Sequence, residues 1–252
     1  MSDRVLAALD GGVLTATLNR PEKTNAIDTA MIDALLTLLE RADLDSAVRV
    51  VAVRGAGTDF CAGMDLNELL ASADKSVEQN RQAALHFAEI FVRMRHIPKP
   101  IVAVVHGRAL AGGCGLATAC DLVLATESAK FGYPEVQRGF VPAIVMTLLK
   151  RTTGEKVAFD LAATGRILGA PEAAGLGLVS RVYEDSDFED QVAEVLRALA
   201  AASPSALAFT KQQFYELDGL RFEDGIRLGA DVNAVSRTTP DFRAALQAFL
   251  KK

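Results

Sequence analysis

The sequence has few cysteines and histidines, and their placement argues against disulfide and metal frameworks. Its 252 residues contain three cysteines, an odd number without a CxxC pair, which fits a reducing compartment and no disulfide framework. The three histidines are scattered, whereas a zinc site needs its cysteine and histidine ligands at short spacing. We therefore expect a cytoplasmic protein with no structural metal and no metal or redox cofactor.

Long apolar runs and an excess of basic residues are also missing. A transmembrane helix needs about 20 apolar residues in a row. The longest apolar runs here are short, for example residues 101–105. The N-terminal segment MSDRVLAALD lacks the apolar stretch of a signal peptide. Because 27 Lys and Arg residues face 32 Asp and Glu residues, the net charge is −5, whereas nucleic-acid-binding proteins usually carry a basic stripe. We expect no membrane or nucleic-acid partner, but a few well-placed basic residues suffice for a small anionic ligand.

Strand-like and helix-like segments alternate through the first two thirds of the chain, which indicates an α/β fold. Residues 5–9 and 13–18 flank Asp10-Gly11-Gly12 and predict a hairpin. Further strands are predicted over 48–53, 101–105 and 122–125, and helices over 29–42, 66–71 and 78–95. This alternation favours βαβ units with parallel strands. Beyond Pro142 the sequence is mostly helical, so we divide it into a catalytic lobe (1–190) and a helical region (191–252).

Two glycine-containing loops each follow a predicted strand and open a predicted helix. They are residues 60–66 (FCAGMDL), where Asp65 and Glu68 resemble a capping box, and residues 109–115 (ALAGGCG). The first backbone N–H groups of a helix have no partner within it, and glycine lets a ligand approach the backbone closely. Each loop by itself is also compatible with an ordinary tight turn. If the two loops face one point, their N–H groups form an oxyanion hole.

Four motifs in order resemble the crotonase superfamily, the enoyl-CoA hydratases and isomerases. They are 19–26 (NRPEKTNA), 60–66 (FCAGMDL), 106–114 (HGRALAGGC) and 131–135 (FGYPE). The resemblance extends over essentially the whole chain, through 175–179 (GLGLV) to the C-terminal helix. It implies a spiral of ββα units with a helical C-terminal trimerisation region, an acyl-CoA thioester as substrate, and a homotrimer or a dimer of trimers. Coenzyme A enters as part of the substrate, so no separate cofactor is implied.

The resemblance also implies which residues form the site. The oxyanion-hole N–H groups map onto Met64 and Gly112. The residues implied to lie along the CoA ester are Lys23, Asn25, Ala26, Ala62, Gly63, Asp65, Leu66 and Gly113. In some relatives a phenylalanine and a lysine of a neighbouring subunit touch CoA, and Phe249 and Lys252 match those positions.

One of the two glutamates that hydratases of this superfamily use is missing here. Glu135 is present in the FGYPE motif, but Gly115 stands where the other glutamate would follow the glycine loop. Adding water to a double bond calls for two acid/base groups, whereas moving the bond from the 3,4 to the 2,3 position needs one proton shuttle. The segment 139–144 (GFVPAI) also lacks the glycine-rich stretch of many hydratases. We therefore favour isomerisation with Glu135 as the acid/base.

Several alternatives stay open at this point. Relatives with glycine at this position include hydratases of branched or carboxylated enoyl-CoAs, and decarboxylation and dehydration also occur in the superfamily. Gly115 is equally compatible with a CoA-ester-binding protein that has lost catalysis. Cys114 lies at a helix N-terminus, where a thiol pKa can fall, but no histidine partner is recognisable, so we favour packing over a thioesterase role. Arg108 faces either solvent or a CoA phosphate, and we interpret His106 as structural.

Overall fold

The computed structural model of the protein describes residues 3–251, whose strands form two separate sheets. The strands in this range are β1 (Val5–Asp10), β2 (Val13–Leu18), β3 (Val50–Gly55), β4 (Ile101–Val105), β5 (Arg108–Leu110), β6 (Leu122–Thr126), β7 (Lys130–Gly132), β8 (Ile167–Gly169) and β9 (Arg181–Tyr183). The larger sheet has the order β1-β2-β3-β4-β6-β9, and the smaller one has the order β5-β7-β8. The predicted hairpin is confirmed, since β1 and β2 pair antiparallel with Asp10 opposite Val13. All other pairs in the larger sheet are parallel, as the alternation of elements predicts.

Eleven α-helices in the described part of the chain surround these sheets. They are α1 (Thr29–Leu44), α2 (Leu66–Ala71), α3 (Val77–His96), α4 (Gly112–Ala119), α5 (Met146–Thr153), α6 (Glu155–Thr164), α7 (Ala170–Gly175), α8 (Phe188–Ala201), α9 (Pro204–Glu216), α10 (Phe222–Ser236) and α11 (Pro240–Leu250). The predicted helices over 29–42, 66–71 and 78–95 match α1, α2 and α3 to within two residues at each end.

Both faces of the larger sheet are buried at its central strands β3, β4 and β6, although most of the edge strand β1 is exposed. This explains why the central strands are continuous apolar runs rather than alternating ones. On one face, side chains such as Val51 and Ala103 pack with α1 and α3 in the main core. On the other face, Val50 and Val102 pack with Phe188 of α8 in a second, smaller core. Helix α8 thus belongs to the sheet, and it crosses the predicted boundary between residues 190 and 191.

The smaller sheet positions two functional segments although each of its strands has three residues. Strand β5 pairs in parallel with β7, and β7 pairs antiparallel with β8. Strand β5 leads into the N-terminus of α4 at Gly112, and β7 leads into a 3-10 helix over Pro134–Arg138 that carries Glu135. The sequence analysis assigns no strand to any of these three segments.

A buried lysine joins the C-terminal helices to the sheet. Lys211 of α9 donates hydrogen bonds to Oδ2 of Asp121 (2.7 Å) and to the carbonyl oxygens of Met94 (2.8 Å) and Lys99 (3.0 Å). The Tyr215 hydroxyl donates to Oδ1 of the same aspartate at 2.7 Å. Helix α9 is therefore held to the end of α4 by charged and polar contacts rather than by apolar packing alone.

Among residues 3–251, no single helix has the length and apolar character needed to cross a membrane. The pair α8 and α9 meets that test jointly, but the two helices are bent by 101° relative to each other.

Candidate active site

The N–H group of Met64 is left without an acceptor by the way its loop is bonded. Ile27 donates to the carbonyl of Gly63 (2.7 Å) and accepts from the N–H of Asp65 (2.8 Å), so this parallel bridge uses the residues on either side of Met64. Within residues 3–251 the Met64 N–H has no hydrogen-bond partner. Gly63 has a φ of +98°, a conformation that favours glycine and lets the chain turn into α2.

A buried ion network holds this first loop in place. Asp65 is the N-cap of α2, where its carboxylate accepts from the N–H of Asn67 at 2.9 Å. The Arg20 guanidinium, 7% exposed, donates to Asp65 Oδ2 (2.9 Å) and lies 3.3 Å from Asp28 Oδ2. Arg20 also donates to the carbonyl of Ala26 at 2.6 Å. The hydrogen bond from Arg20 is the main cause that lowers the pKa of Asp65, so this carboxylate stays ionised and keeps the loop anchored.

The second loop is held mainly by backbone contacts and close packing. The N–H of Leu110 donates to the carbonyl of Cys61 (2.9 Å), and the N–H of Ala111 donates to the carbonyl of Gly132 (2.8 Å). Ala111 has φ +51° and ψ −128°, a strained conformation for a residue with a side chain. The strain turns the chain so that α4 begins at Gly112. In the described part of the chain the Gly112 N–H has no acceptor, as the first position of a helix allows.

The two loops lie directly against each other. A Cβ placed on Gly63 would be 3.1 Å from the backbone nitrogen of Gly112, and a Cβ on Gly112 would be 3.7 Å from Cγ of Met64. A Cβ on Gly113 would be 2.3 Å from the carbonyl oxygen of Cys61, so no larger residue fits there without backbone movement. The structure thus brings Met64 and Gly112 close together, and among residues 3–251 both N–H groups are unpaired. An oxyanion hole needs two such donors directed at one oxygen.

Glu135 is buried on the 3-10 helix that follows β7. Its side chain is 8% exposed, and its Oε2 atom has no hydrogen-bond partner within residues 3–251. Burial is the largest cause that raises the pKa of Glu135, and the nearby Arg138 lowers it by a smaller amount. The charge of Glu135 contributes a minor part to raising the pKa of the Cys114 thiol. A buried carboxylate with one unpaired oxygen and a raised pKa is typical of a group that transfers protons.

An apolar side chain occupies the place next to Gly115. A Cβ on Gly115 would lie 2.1 Å from Cγ1 and 2.8 Å from Cβ of Val145. Val145 is 3% exposed and is the N-cap of α5. A second carboxylate at position 115 therefore has no room in this structure.

The other predicted CoA contacts differ in how accessible they are. Lys23 and Leu66 are exposed, and Ala26 and Ala62 are half-buried. Asn25 is fully buried: its Nδ2 donates to the carbonyls of Ala56 (2.8 Å) and Asp59 (2.7 Å), and its Oδ1 accepts from the N–H of Arg20 (2.9 Å). The Asn25 side chain therefore shapes the loop and has no donor left for a ligand.

Of the two predicted C-terminal contacts, Phe249 lies within the described residues. Phe249 lies on α11, which packs against α9, and its side chain is 74% exposed. The resemblance implies that it reaches the site of a neighbouring subunit, and this stays a prediction. Lys252 lies outside the described residues.

Three side chains near the loops have structural partners. Arg108 forms a bidentate pair with Asp59, through Nε to Oδ1 (2.7 Å) and Nη2 to Oδ2 (2.9 Å). Its guanidinium therefore has a partner within the protein. His106 Nε2 is 2.9 Å from the carbonyl of Gly57, in agreement with a structural role. Burial raises the pKa of Cys114 to about 11, so this thiol stays protonated near neutral pH and packs as a small apolar group.

Two residues that shape the site have no assigned role in the sequence analysis. Arg20 lies inside the NRPEKTNA motif. The aspartates later in the sequence were the available signal of a buried partner for Arg20, but arginine and aspartate are both common at protein surfaces. Val145 follows the GFVPAI segment, which lacks the glycine-rich stretch of many hydratases. That lack of glycines was the available signal that a side chain fills the space next to Gly115. Within residues 3–251, no cluster of three or more His, Cys, Asp and Glu side chains is arranged to hold a metal ion.

Comparison with known proteins assigns the chain to a family. A family model described as Enoyl-CoA hydratase/isomerase matches residues 9–252. The Thermus thermophilus protein named "Putative enoyl-CoA hydratase" is 40% identical over 242 residues, 96% of each chain. The "2,3-dehydroadipyl-CoA hydratase" of Escherichia coli is 32% identical over 95% of this chain and 92% of its own length. A crystal structure of an enoyl-CoA hydratase from Mycobacterium smegmatis aligns with a TM-score of 0.94 and 32% identity, over 99% of this chain and 97% of that one.

The chain therefore belongs to the enoyl-CoA hydratase/isomerase family and is an acyl-CoA enzyme of that family. This confirms the predicted membership of the crotonase superfamily and the predicted α/β fold of crotonase type.

Proposed function

We propose that this enzyme moves the double bond of an enoyl-CoA from the 3,4 to the 2,3 position. The thioester oxygen accepts hydrogen bonds from the N–H groups of Met64 and Gly112, and Glu135 transfers the proton. The observation that carries this proposal is the combination of two adjacent unpaired N–H groups with one buried carboxylate whose Oε2 atom has no hydrogen-bond partner within residues 3–251.

The proposed reaction is balanced with a single acid/base group. The Glu135 carboxylate takes a proton from C2, and the electrons of that C–H bond form a dienolate whose negative oxygen is stabilised by the two N–H groups. The protonated Glu135 then returns the proton to C4, the 2,3 double bond forms, and the thioester carbonyl is restored. No water is consumed, so no second carboxylate is needed, in keeping with Val145 beside Gly115.

The environment of Glu135 suits both halves of this transfer. Burial raises the pKa of Glu135, which makes the carboxylate a stronger base and brings its pKa closer to the working pH. The same burial costs folding stability while the side chain is ionised, because the native state binds the proton more tightly than the unfolded chain does. We therefore expect Glu135 to be retained for its chemistry rather than for stability.

The CoA part of the substrate, the assembly and the location are also part of this proposal. Exposed Lys23 and Leu66, with half-buried Ala26 and Ala62, supply the accessible surface beside the loops for CoA. A homotrimer or a dimer of trimers is supported by large apolar side chains exposed on the C-terminal helices, among them Phe214, Phe222 and Phe249. A cytoplasmic location is supported by the three cysteines, all unpaired and buried.

The test is product identification with Glu135→Gln, using the exposed Glu194→Gln as a matched control. On a 3-enoyl-CoA in deuterated water, we expect the Glu135 variant to lose about 100- to 10,000-fold in kcat/KM and in deuterium exchange at C2, with CoA-ester binding retained. The control is expected to behave as the unmodified enzyme. Activity of the unmodified enzyme should fall as the pH decreases through the raised pKa of Glu135, because the base must be ionised. Full activity of Glu135→Gln would refute the assignment.

Hydration of a carboxylated or branched enoyl-CoA is the second candidate. It is favoured by the names of the relatives, one of which is a hydratase of 2,3-dehydroadipyl-CoA, whose acyl group carries one free carboxylate. Product analysis on a 3-enoyl-CoA and on a 2-enoyl-CoA decides between the two, since isomerisation turns the first into the second and hydration turns the second into a 3-hydroxyacyl-CoA. Tight binding of enoyl-CoA esters without turnover of any of them would instead identify a CoA-ester-binding protein.

A further inference from the structure

Val145 lies so close to Gly115 that no residue with a Cβ atom fits at position 115. The Cβ that any other residue would carry there would lie 2.1 Å from Cγ1 of Val145, far inside a van der Waals contact. Gly115 follows Gly112 by three residues on α4, so the two are neighbours on the surface of that helix. The isopropyl group thus lies one position away from a proposed oxyanion donor.

The backbone on both sides holds Val145 in this position. Val145 accepts hydrogen bonds from the N–H groups of Leu148 (3.0 Å) and Leu149 (2.9 Å), which begin α5, while the N–H of Met146 donates to the carbonyl of Pro142 (2.8 Å). A β-branched side chain has few rotamers available, so its methyl groups cannot swing away without moving α5. Val145 is 3% exposed, which shows that its surroundings are already filled.

The same segment of chain also carries Glu135. The N–H of Phe140 donates to the carbonyl of Glu135 at 3.1 Å, and five residues later the chain reaches Val145. One short segment therefore supplies the proposed proton shuttle and, at its other end, the apolar group that packs on α4. A space lined by methyl and methylene groups offers no hydrogen bonds and does not hold an ordered water.

We propose that Val145 is a specificity-determining residue that selects double-bond migration over water addition. It does so by filling the volume next to Gly115. A second acid/base group, or an ordered water that attacks C3, would have to lie in that volume. Migration moves one proton from C2 to C4 and converts a 3-enoyl-CoA into a 2-enoyl-CoA, whereas water addition to the 2,3 double bond of that product puts a hydroxyl on C3 and a proton on C2, so the two products report which steps occur. This inference rests on the proposed function.

The experiment compares the unmodified enzyme with Val145→Thr, Val145→Ala and the pair Gly115→Glu with Val145→Gly, on a 3-enoyl-CoA and separately on the 2-enoyl-CoA that migration forms, in ¹⁸O-labelled water. Threonine has nearly the shape of valine but adds a hydroxyl that can bind water, and alanine opens space. We expect each single variant to raise the ratio of ¹⁸O-labelled 3-hydroxyacyl-CoA to 2-enoyl-CoA at least tenfold, and the paired variant to raise it further. Val235→Thr, on the exposed face of α10, is the matched control and should leave the ratio unchanged.

Each result supports or overturns the inference. A migrating unmodified enzyme whose product ratio is unchanged in folded Val145→Thr and Val145→Ala overturns the role of Val145 and leaves the proposed function standing. An unmodified enzyme that hydrates the 2-enoyl-CoA but leaves the 3-enoyl-CoA unchanged overturns the proposed isomerisation and this inference with it. If the paired variant does not fold, the near-isosteric Val145→Thr still decides the question.

Discussion

The two loops that present the N–H groups of Met64 and Gly112 are held in place by different forces. The Met64 loop depends on charge, because Arg20 connects Asp65 at the start of α2 with Asp28 at the start of α1. In the Gly112 loop, residues 109–115, no ion pair is found; the preceding Arg108 pairs with Asp59, but its side chain is 54% exposed. This loop depends on close packing of Gly113 on Cys61 and on the strained backbone of Ala111.

The two loops should therefore respond differently to substitutions, although each presents a backbone N–H group. A loop anchored by buried charges should tolerate small changes in side-chain size but not the loss of a charge, because the remaining partner is left buried and unpaired. A loop anchored by close packing should be indifferent to charge but not to one added methyl group. Four experiments can break or sharpen this contrast.

The largest effect is expected from Arg20→Met, which removes the shared partner of Asp28 and Asp65. Breaking a buried pair in this way should lower the free energy of unfolding by about 3–5 kcal/mol. Arg54→Met, which breaks a more exposed pair with Glu189, is the matched control and should cost about 1 kcal/mol or less. Denaturant unfolding of both variants gives the comparison, and equal losses would show that the buried network does not anchor the Met64 loop.

A smaller but still large loss is expected from Gly113→Ala. The added Cβ would lie 2.3 Å from the carbonyl oxygen of Cys61, so backbone must move, at a cost of about 3 kcal/mol. Gly175→Ala is the control, because nothing lies within 4 Å of its added Cβ, and it should be neutral or slightly stabilising. Thermal and denaturant unfolding measure both. A Gly113→Ala protein as stable as the control would contradict the packing account of the Gly112 loop.

A gain of stability is expected from Ala111→Gly. Glycine adopts a positive φ without strain, so the change should relieve about 1–3 kcal/mol of strain and lose part of that to the greater freedom of the unfolded chain, leaving about 1 kcal/mol. The exposed Ala143→Gly, whose φ is not positive, should instead be neutral or destabilising. The difference between the two midpoints in denaturant is the measurement, and a loss at position 111 would argue that no strain is stored there.

The smallest effect is the pH dependence that Asp65 contributes. Because Arg20 lowers its folded-state pKa, Asp65 stabilises the fold above its ordinary pKa, and this contribution is lost as the pH falls through the lowered value. Arg20→Met should remove most of this dependence, so its stability should fall less on acidification than that of the unmodified protein. Denaturant midpoints across the acidic range test this, and parallel curves would show that Arg20 does not act through Asp65.

Periodicity and turn residues suffice to predict the larger sheet and the helices before it, since those segments are long and strongly apolar. They do not predict β5, β7 and β8, because three-residue strands next to glycines show no period and exist through pairing with each other. The predicted loop over 109–115 is also too long, since α4 begins at Gly112. Gly112 and Gly113 disfavour a helix locally, but packing on Cys61 makes them its first residues.

The site was predictable where the chemistry is carried by a named residue and not where it depends on long-range packing. Met64, Gly112 and Glu135 follow from the motifs, and their roles stay proposals. The expected capping box at α2 is half correct: Asp65 caps the helix, but the Glu68 carboxylate accepts from Thr29 Oγ1 (2.9 Å) instead of closing the box. The contact between Gly115 and Val145 joins residues 30 positions apart, and no local pattern reports such a contact.

That contact also constrains how this chain could have diverged from an ancestor with glutamate on α4. Glutamate at position 115 is incompatible with valine at position 145, and glycine at both positions leaves a void in the core. Either order of single substitutions therefore passes through a less fit intermediate, so the two positions are epistatic. We expect them to change together in a lineage, and a recombinant that inherits them from different parents to fold poorly.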